Sequence, residues 1–246
     1  MKQFIKAVLF LLLTLSAGKL CAQIQGQPYI DSLLKELPRQ KRDTNQLSLL
    51  NDLAFAYYEV DKNDSGVRYA QQELDMANEL SYKKGVANAS NVLGAIHLAE
   101  FDFAKATAYF STALKIFQES GDKTKISSVT LNMGNVYAYQ ANFPKALEYY
   151  IKALKLADET GDRNSAAFIV GNMGGIYLEM KDYNKALENL LNALKRFNDL
   201  GKGYEDDAAR VTMNIGVLYQ RLDDLKNAQG YNIKALKMAE DLGVRD

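Results

Sequence analysis

This chain predicts an all-α fold, a solenoid of five tandem helix–turn–helix pairs behind one N-terminal helix. Three observations predict it. First, two amphipathic helices flank the turn Gln140-Ala141-Asn142-Phe143. Ile126, Val129, Met133, Val136 and Tyr137 fall three or four apart in the first; Ala146, Tyr150, Ala153, Leu154 and Ala157 do so in the second. That spacing lines one side of a 3.6-period helix. Second, the stretch recurs. Gly134 has counterparts at Ala54, Gly94 and Gly174, each 40 residues from the next, and at Gly216, which is 42 on. Third, only three prolines interrupt 246 residues. A helix pair cannot bury its apolar faces alone, whereas stacked copies can.

The elements follow in order. Residues 1–22 read as an export signal. Lys2 and Lys6 form its charged start, and Ala7 to Leu15 its apolar core. That core is far short of the ~20 residues that span a bilayer. Leu20-Cys21-Ala22 places a cleavage point before Gln23. The alternative, a lipoprotein signal acylated at Cys21, wants a small residue where Leu20 stands. Cleavage after Ala22 removes Lys2, Lys6, Lys19 and the single cysteine. The remaining chain has three more acidic than basic residues, and its lack of cysteine suits an oxidising, periplasmic or extracellular, setting.

Residues 23–46 hold a short helix over 28–37, ended by Pro38, and a polar linker. Its face of Ile30, Leu33, Leu34 and Leu37 is placed to cover the first repeat. The repeats then span 47–82, 83–122, 123–162, 163–202 and 203–246. Gly121 and Gly161 close their helices in the left-handed conformation. The loop Gly201-Lys202-Gly203-Tyr204 holds the two inserted residues. The last residues align with the start of a further first helix. This predicts that Ile233, Leu236 and Met238 are partly exposed, and that the chain continues or meets a partner there.

These residues resemble the tetratricopeptide repeat family. Its pattern reads here as Met133-Gly134-x-x-Tyr137, Phe143, Ala146, Tyr150 and Ala153. The same offsets carry Tyr137 onto Tyr57, His97, Tyr177 and Tyr219. They carry Ala146 onto Gly66, Ala106, Ala186 and Ala228, and Leu154 onto Leu74, Leu114, Leu194 and Leu236. The first copy departs most, with Gly66 and Glu73 for alanines and Ala70 for an aromatic. The resemblance implies a right-handed superhelix whose first helices line a concave wall. The long period is similar to that of kinesin light chains, bacterial peptide-pheromone receptors and the N-terminal regions of some bacterial sensor kinases and nucleotide cyclases.

The composition, 48% hydrophobic and 24% charged with zero formal charge, is that of an ordinary globular chain and lacks a nucleic-acid footprint. The sequence has no phosphate-cradling loop, no His-Glu-x-x-His and no Gly-x-Ser-x-Gly elbow. His97, the single histidine, stands in a tyrosine position and reads as a packing residue; one histidine does not make a zinc site. No catalytic, cofactor or metal residues are assigned.

The remaining functional surface is the wall that the resemblance makes concave. Counted from the register glycine, it takes Ser128, Leu131, Asn132, Asn135, Ala138 and Tyr139 in the third repeat. The fourth supplies Phe168, Gly171, Asn172, Gly175, Leu178 and Glu179. The fifth supplies Arg210, Met213, Asn214, Val217, Gln220 and Arg221. Asn132, Asn172 and Asn214 recur at one place, with Asn51 and Asn91 one position earlier. An asparagine amide offers two donors and an acceptor. Such a ladder holds an extended peptide main chain, as the resemblance implies, or bonds repeat to repeat; both readings stay open here. Tyr139, Phe168, Arg210 and Arg221 are candidate side-chain readers, since Tyr and Arg are common interface anchors.

The expected function is an exported module that binds a peptide or protein segment, as an adaptor or the sensing region of a signalling protein. The alternatives are the N-terminal part of a longer sensor kinase, cyclase or transcription regulator, and a structural scaffold. No nucleic-acid partner is expected. Membrane contact is expected only through the export signal or a further C-terminal segment.

Overall fold

The computed structural model describes residues 15–39 and 41–243, with side chains from Gly26 onward. The charged start of the export signal, and all of its apolar core but Leu15, lie outside the described residues. So do Val244 to Asp246, read above as the start of a further helix. Every regular element among the described residues is helical. The helices are α1 (Leu15–Glu36), α2 (Thr44–Glu59), α3 (Asn63–Glu79), α4 (Lys83–Ala99), α5 (Phe103–Ser120) and α6 (Lys123–Tyr139). They continue as α7 (Phe143–Thr160), α8 (Arg163–Glu179), α9 (Tyr183–Leu200), α10 (Glu205–Arg221) and α11 (Leu225–Asp241). This is the expected all-α solenoid of helix–turn–helix repeats.

One element differs. The helix expected over 28–37 runs instead from Leu15, with Pro28 inside it, and ends in a 3-10 turn at Leu37–Arg39. A proline removes one backbone donor, and with Gly26 close by local propensity opposes the helix; the burial of Ile30 and Leu33 just after it works the other way.

The chain divides into two compact units, residues 19–136 and residues 137–246, with the boundary inside α6. In the first unit α3 packs against α2 and α4, and α2 also touches α4. In the second, α9 packs against α8 and α10, and α8 also touches α10. α2 and α8 therefore each meet their own second helix and the first helix of the next repeat. Ile30 and Leu33 of α1 join the first unit's core with Leu53, Tyr57, Met76 and Leu93, the covering role read from the sequence. The second unit's core gathers Leu190, Phe197, Val211 and Leu218.

The turn within each pair repeats one design. The second residue past the first helix takes a left-handed φ in Asp61 (58°), Phe101 (60°), Ala141 (57°), Lys181 (61°) and Asp223 (59°). None of these is glycine. The next N–H then bonds back to the tyrosine-position carbonyl: Asp102 to His97 at 2.9 Å, Asp182 to Tyr177 at 2.9 Å, Asp224 to Tyr219 at 3.0 Å. That closes a helix C-terminus and opens the next N-terminus at once. Asp102, Asn142, Asp182 and Asp224 each accept the N–H three residues on, at 3.1, 3.4, 3.3 and 3.1 Å. Asp182→Ala is expected to lower stability by about 1 kcal/mol, measured as a shift in urea midpoint.

The same tyrosine position stacks its ring on the second helix twelve residues later. Tyr57 meets Tyr69 (5.4 Å between centroids), His97 meets Tyr109 (5.6 Å), Tyr137 meets Tyr149 (5.2 Å) and Tyr219 meets Tyr231 (5.5 Å). His97 therefore serves as a packing ring, with Nδ1 3.2 Å from the Glu100 carboxylate.

The register glycines mark where the two helices of a pair touch. A Cβ on Gly94 would lie 2.6 Å from the Phe110 ring, and on Gly174 2.8 Å from Leu190 Cγ. On Gly216 it would lie 2.1 Å from Asn232 Oδ1. The partner always stands sixteen residues on. In the first repeat the equivalent pair is Ala54 and Ala70, both fully buried: a slightly larger register residue faces a smaller partner. The partner position holds Phe110 and Tyr150 but also Leu190 and Asn232, so the aromatic of the family pattern is not kept in the last two repeats.

Between repeats, Gly121 and Gly161 take left-handed φ values of 70° and 72°, as expected. Gly201 differs, with φ 76° and ψ −135°, a conformation open only to glycine. Gly203 follows at φ 98°. On α11 only Ala228 and Ala235 are buried. Ile233 and Leu236 are exposed, whereas Met238 is half-buried against the core.

Candidate functional site

The first helices present the residues singled out from the sequence, and each unit presents its own set. In the first unit, Asn132 Nδ2 donates to Asn91 Oδ1 at 3.1 Å. Two steps of the asparagine series thus bond to each other across neighbouring repeats. Asn51 turns elsewhere: its Nδ2 donates to Glu73 Oε2 at 2.8 Å. Asn135 lies half-buried on the same helix as Asn132.

Glu73 explains the first repeat's departure from pattern. It occupies the place of Ala113, Ala153, Ala193 and Ala235 and is 1% exposed. Burial pushes its carboxyl up to about 8, against the opposing pull of the Asn51 hydrogen bond. It is therefore largely protonated at neutral pH. Asn51 belongs to this buried pair rather than to an open ladder.

In the second unit the charged readers are already paired. Arg221 donates to Glu179 at 3.0 Å and to the Leu178 carbonyl at 3.3 Å, joining the fifth repeat to the fourth. Arg210 pairs with Asp207 on its own helix and carries its guanidinium 5.9 Å from the Phe168 ring centroid. Burial raises the Asp207 carboxyl, with Arg210 pulling the other way. Phe168 in turn packs edge-on against Phe197 at 5.0 Å. Asn172 is exposed, whereas Asn214 and Tyr139 are half-buried. Phe168 and Arg210 are thus brought together, as are Glu179 and Arg221. A Cβ on Gly171 would meet Ala193 at 3.6 Å, ordinary contact, so no close helix crossing demands that glycine.

Asp207 has no counterpart in the repeat pattern, and nothing in its spacing marks it. The first repeat's equivalents of Asn132, Asn135 and Tyr139 are Asp52, Phe55 and Glu59, further candidates not among those named from the sequence. Phe55 is 47% exposed, and burial raises both carboxyls. The same register offset finds all three. No group of His, Cys, Asp and Glu among the described residues could hold a metal ion. No helix among them is long and apolar enough to cross a membrane.

Stacked helix pairs with a register glycine, a paired ring and a capped turn define a helical-repeat protein. The tetratricopeptide repeat profile matches residues 45–119 and 165–241, and a second profile of the same description matches 129–163. The chain belongs to the tetratricopeptide repeat family. No curated protein matches it in sequence. Among solved structures it resembles BtubC from P. vanneervenii, with 17% identity, 93% of each chain covered and a TM-score of 0.69. It also resembles a Rap protein complexed with competence and sporulation factor: 16% identity, 91% of this chain and 73% of that one, TM-score 0.67. A third is NprR in complex with its cognate peptide NprX: 17% identity, 96% and 65% covered, TM-score 0.65. Likeness at such identities is likeness of fold.

Proposed function

We propose that this chain is a module binding a peptide or protein segment along the solvent side of its first helices, as an adaptor or sensory region in signalling. One observation carries the reading: within residues 137–246, Asn172 and Asn214 recur at matching places on successive first helices that also carry the Arg210–Asp207 and Arg221–Glu179 pairs. The amides offer donors and acceptors to a main chain whatever its side chains. Arg210 and Arg221, now on Asp207 and Glu179, can exchange those partners for carboxylates of the ligand. Exchange of one ion pair for another costs little compared with leaving a buried charge unpaired. The Rap and NprR structures, solved with a bound factor and a bound peptide, support a peptide ligand by analogy of fold.

The test is calorimetric titration of peptides selected from a displayed random library. Asn172→Ala is expected to weaken binding about tenfold, roughly 1.4 kcal/mol. Equal affinity for parent and variant removes the amides from the mechanism.

We further propose that the protein is exported and cleaved after Ala22. The α1 residues in the core, Ile30 and Leu33, lie beyond that point, so cleavage leaves them in place. Mass spectrometry of the N-terminus is expected to begin at Gln23; a retained Met1 would refute export by this route.

A further inference from the structure

The second helices of residues 137–246 carry an apolar row with lysines on one side and, on α7 and α9, glutamates on the other. Ile151 on α7, Leu191 on α9 and Ile233 on α11 occupy equivalent positions and are 55%, 41% and 58% exposed. Isolated exposed aliphatics are ordinary on a protein surface. Here the position itself is the observation: the first two repeats place Gln71 and Ser111 there, so the repeat does not require an apolar side chain. Four residues on, one helical turn away on the same face, each helix has a lysine: Lys155, Lys195 and Lys237. All three are exposed, and none makes an ion pair or side-chain hydrogen bond with another of the described residues. Three residues before the aliphatic stand Glu148 and Glu188. Glu148 is held by Lys152 at 2.6 Å, and Glu188 is exposed. Second helices approach closely enough for side chains to meet, since Arg196 on α9 lies 3.5 Å from Asp158 on α7.

Read along α7 and α9, the face runs acidic, apolar, basic; on α11 Gly230 stands at the acidic place. That order is its own complement under a two-fold axis, because an antiparallel copy sets basic against acidic and apolar against apolar. A two-fold interface requires one patch to complement itself. Both signs of charge stand at fixed offsets from the apolar row, Glu188 and Lys195 on α9 most directly, and a second copy can match both where a uniformly anionic surface matches only the lysines.

We propose that this face is a homodimer interface. Leu191 meets its own copy at the axis, Ile151 packs beside the partner's Ile233, and Glu188 pairs with the partner's Lys195. A patch of this size gives a weak dimer, with Kd on the order of 10 μM, at the low end for specific interfaces.

Sedimentation velocity on the whole chain from 1 to 200 μM, a range chosen around that estimate, tests it. The parent is expected to pass from monomer to dimer. Leu191→Asp, a change on the surface, is expected to stay monomeric with an unchanged circular dichroism melt. Glu188→Lys and Lys195→Glu are each expected to weaken dimerisation about tenfold, and the two together to restore it. A parent that stays monomeric throughout overturns the proposal, as does a dimer indifferent to Leu191→Asp. A monomer that cosediments with phosphatidylserine vesicles and loses this with Leu191→Asp assigns the face to a membrane and equally overturns it.

Discussion

Gly94→Ala is expected to lower the unfolding free energy by about 2–3 kcal/mol, the range of core overpacking. The sign is the informative part, because glycine to alanine inside a helix ordinarily raises stability by about 1 kcal/mol. The added methyl would stand 2.6 Å from two ring carbons of Phe110. That ring is fully buried and has no open side to retreat into, so the helices of the pair must part. Gly174→Ala is expected to cost a similar amount, since its methyl meets Leu190 Cγ at 2.8 Å and the Leu190 backbone nitrogen at 3.1 Å. Gly216→Ala is expected to be nearly neutral. Its obstacle is the amide end of Asn232, which is half-buried and can turn aside. Urea midpoints of the three variants check this order. A stabilised Gly94→Ala would mean that the helix pair is not held at the distance described.

Stability is expected to fall as pH rises from about 4.5 to about 8, and Glu73→Gln is expected to abolish most of that slope. The folded-state pKa of Glu73 is about 8, against 4.5 for a free glutamate. The native state therefore binds a proton that the unfolded chain releases. The contribution is complete below pH 4.5, declines through the interval and is gone above 8. A shift of this size corresponds to about 5 kcal/mol. Burial raises Asp52 and Glu59 in the same direction. The cap carboxylates act oppositely: their hydrogen bonds to Lys105, Lys185 and Asn227 hold Asp102, Asp182 and Asp224 low. Their stabilisation is lost only on acidification below the ordinary aspartate range. The most stable pH is therefore expected on the acid side of neutrality. Glutamine keeps an acceptor for Asn51 Nδ2 and carries no charge. Denaturant titrations from pH 5 to pH 9 check it; a parent whose midpoint rises with pH across that interval contradicts the buried, protonated carboxyl.

The repeat was legible because its causes are local. A small residue, a ring and a cap recur at fixed offsets, and each states one packing requirement. The helix pairs and the role of Ile30 and Leu33 followed from apolar spacing alone. The start of α1 did not, because Pro28 reads as a beginning when its backbone context is unknown. The left-handed residues Phe101 and Ala141 were also hidden, since neither is a residue type that favours that conformation. At the candidate site, sequence could place Asn91 and Asn132 on one face but not show that they bond to each other. Whether Arg221 is offered to a ligand or held by Glu179 depends on the spacing of two repeats. Glu73 registered only as a departure from pattern; its meaning came from Asn51, twenty-two residues away on another helix.

The account holds that each helix hairpin persists because an adjacent copy covers its apolar side. The most direct measurement is circular dichroism of the fourth repeat alone, residues 163–202, beside the whole chain. The isolated hairpin is expected to show little helix and no cooperative melt, because Phe197 and Leu194 lose the Val211 and Ile215 side of their cluster. A hairpin that keeps its full helix content and melts cooperatively would contradict it.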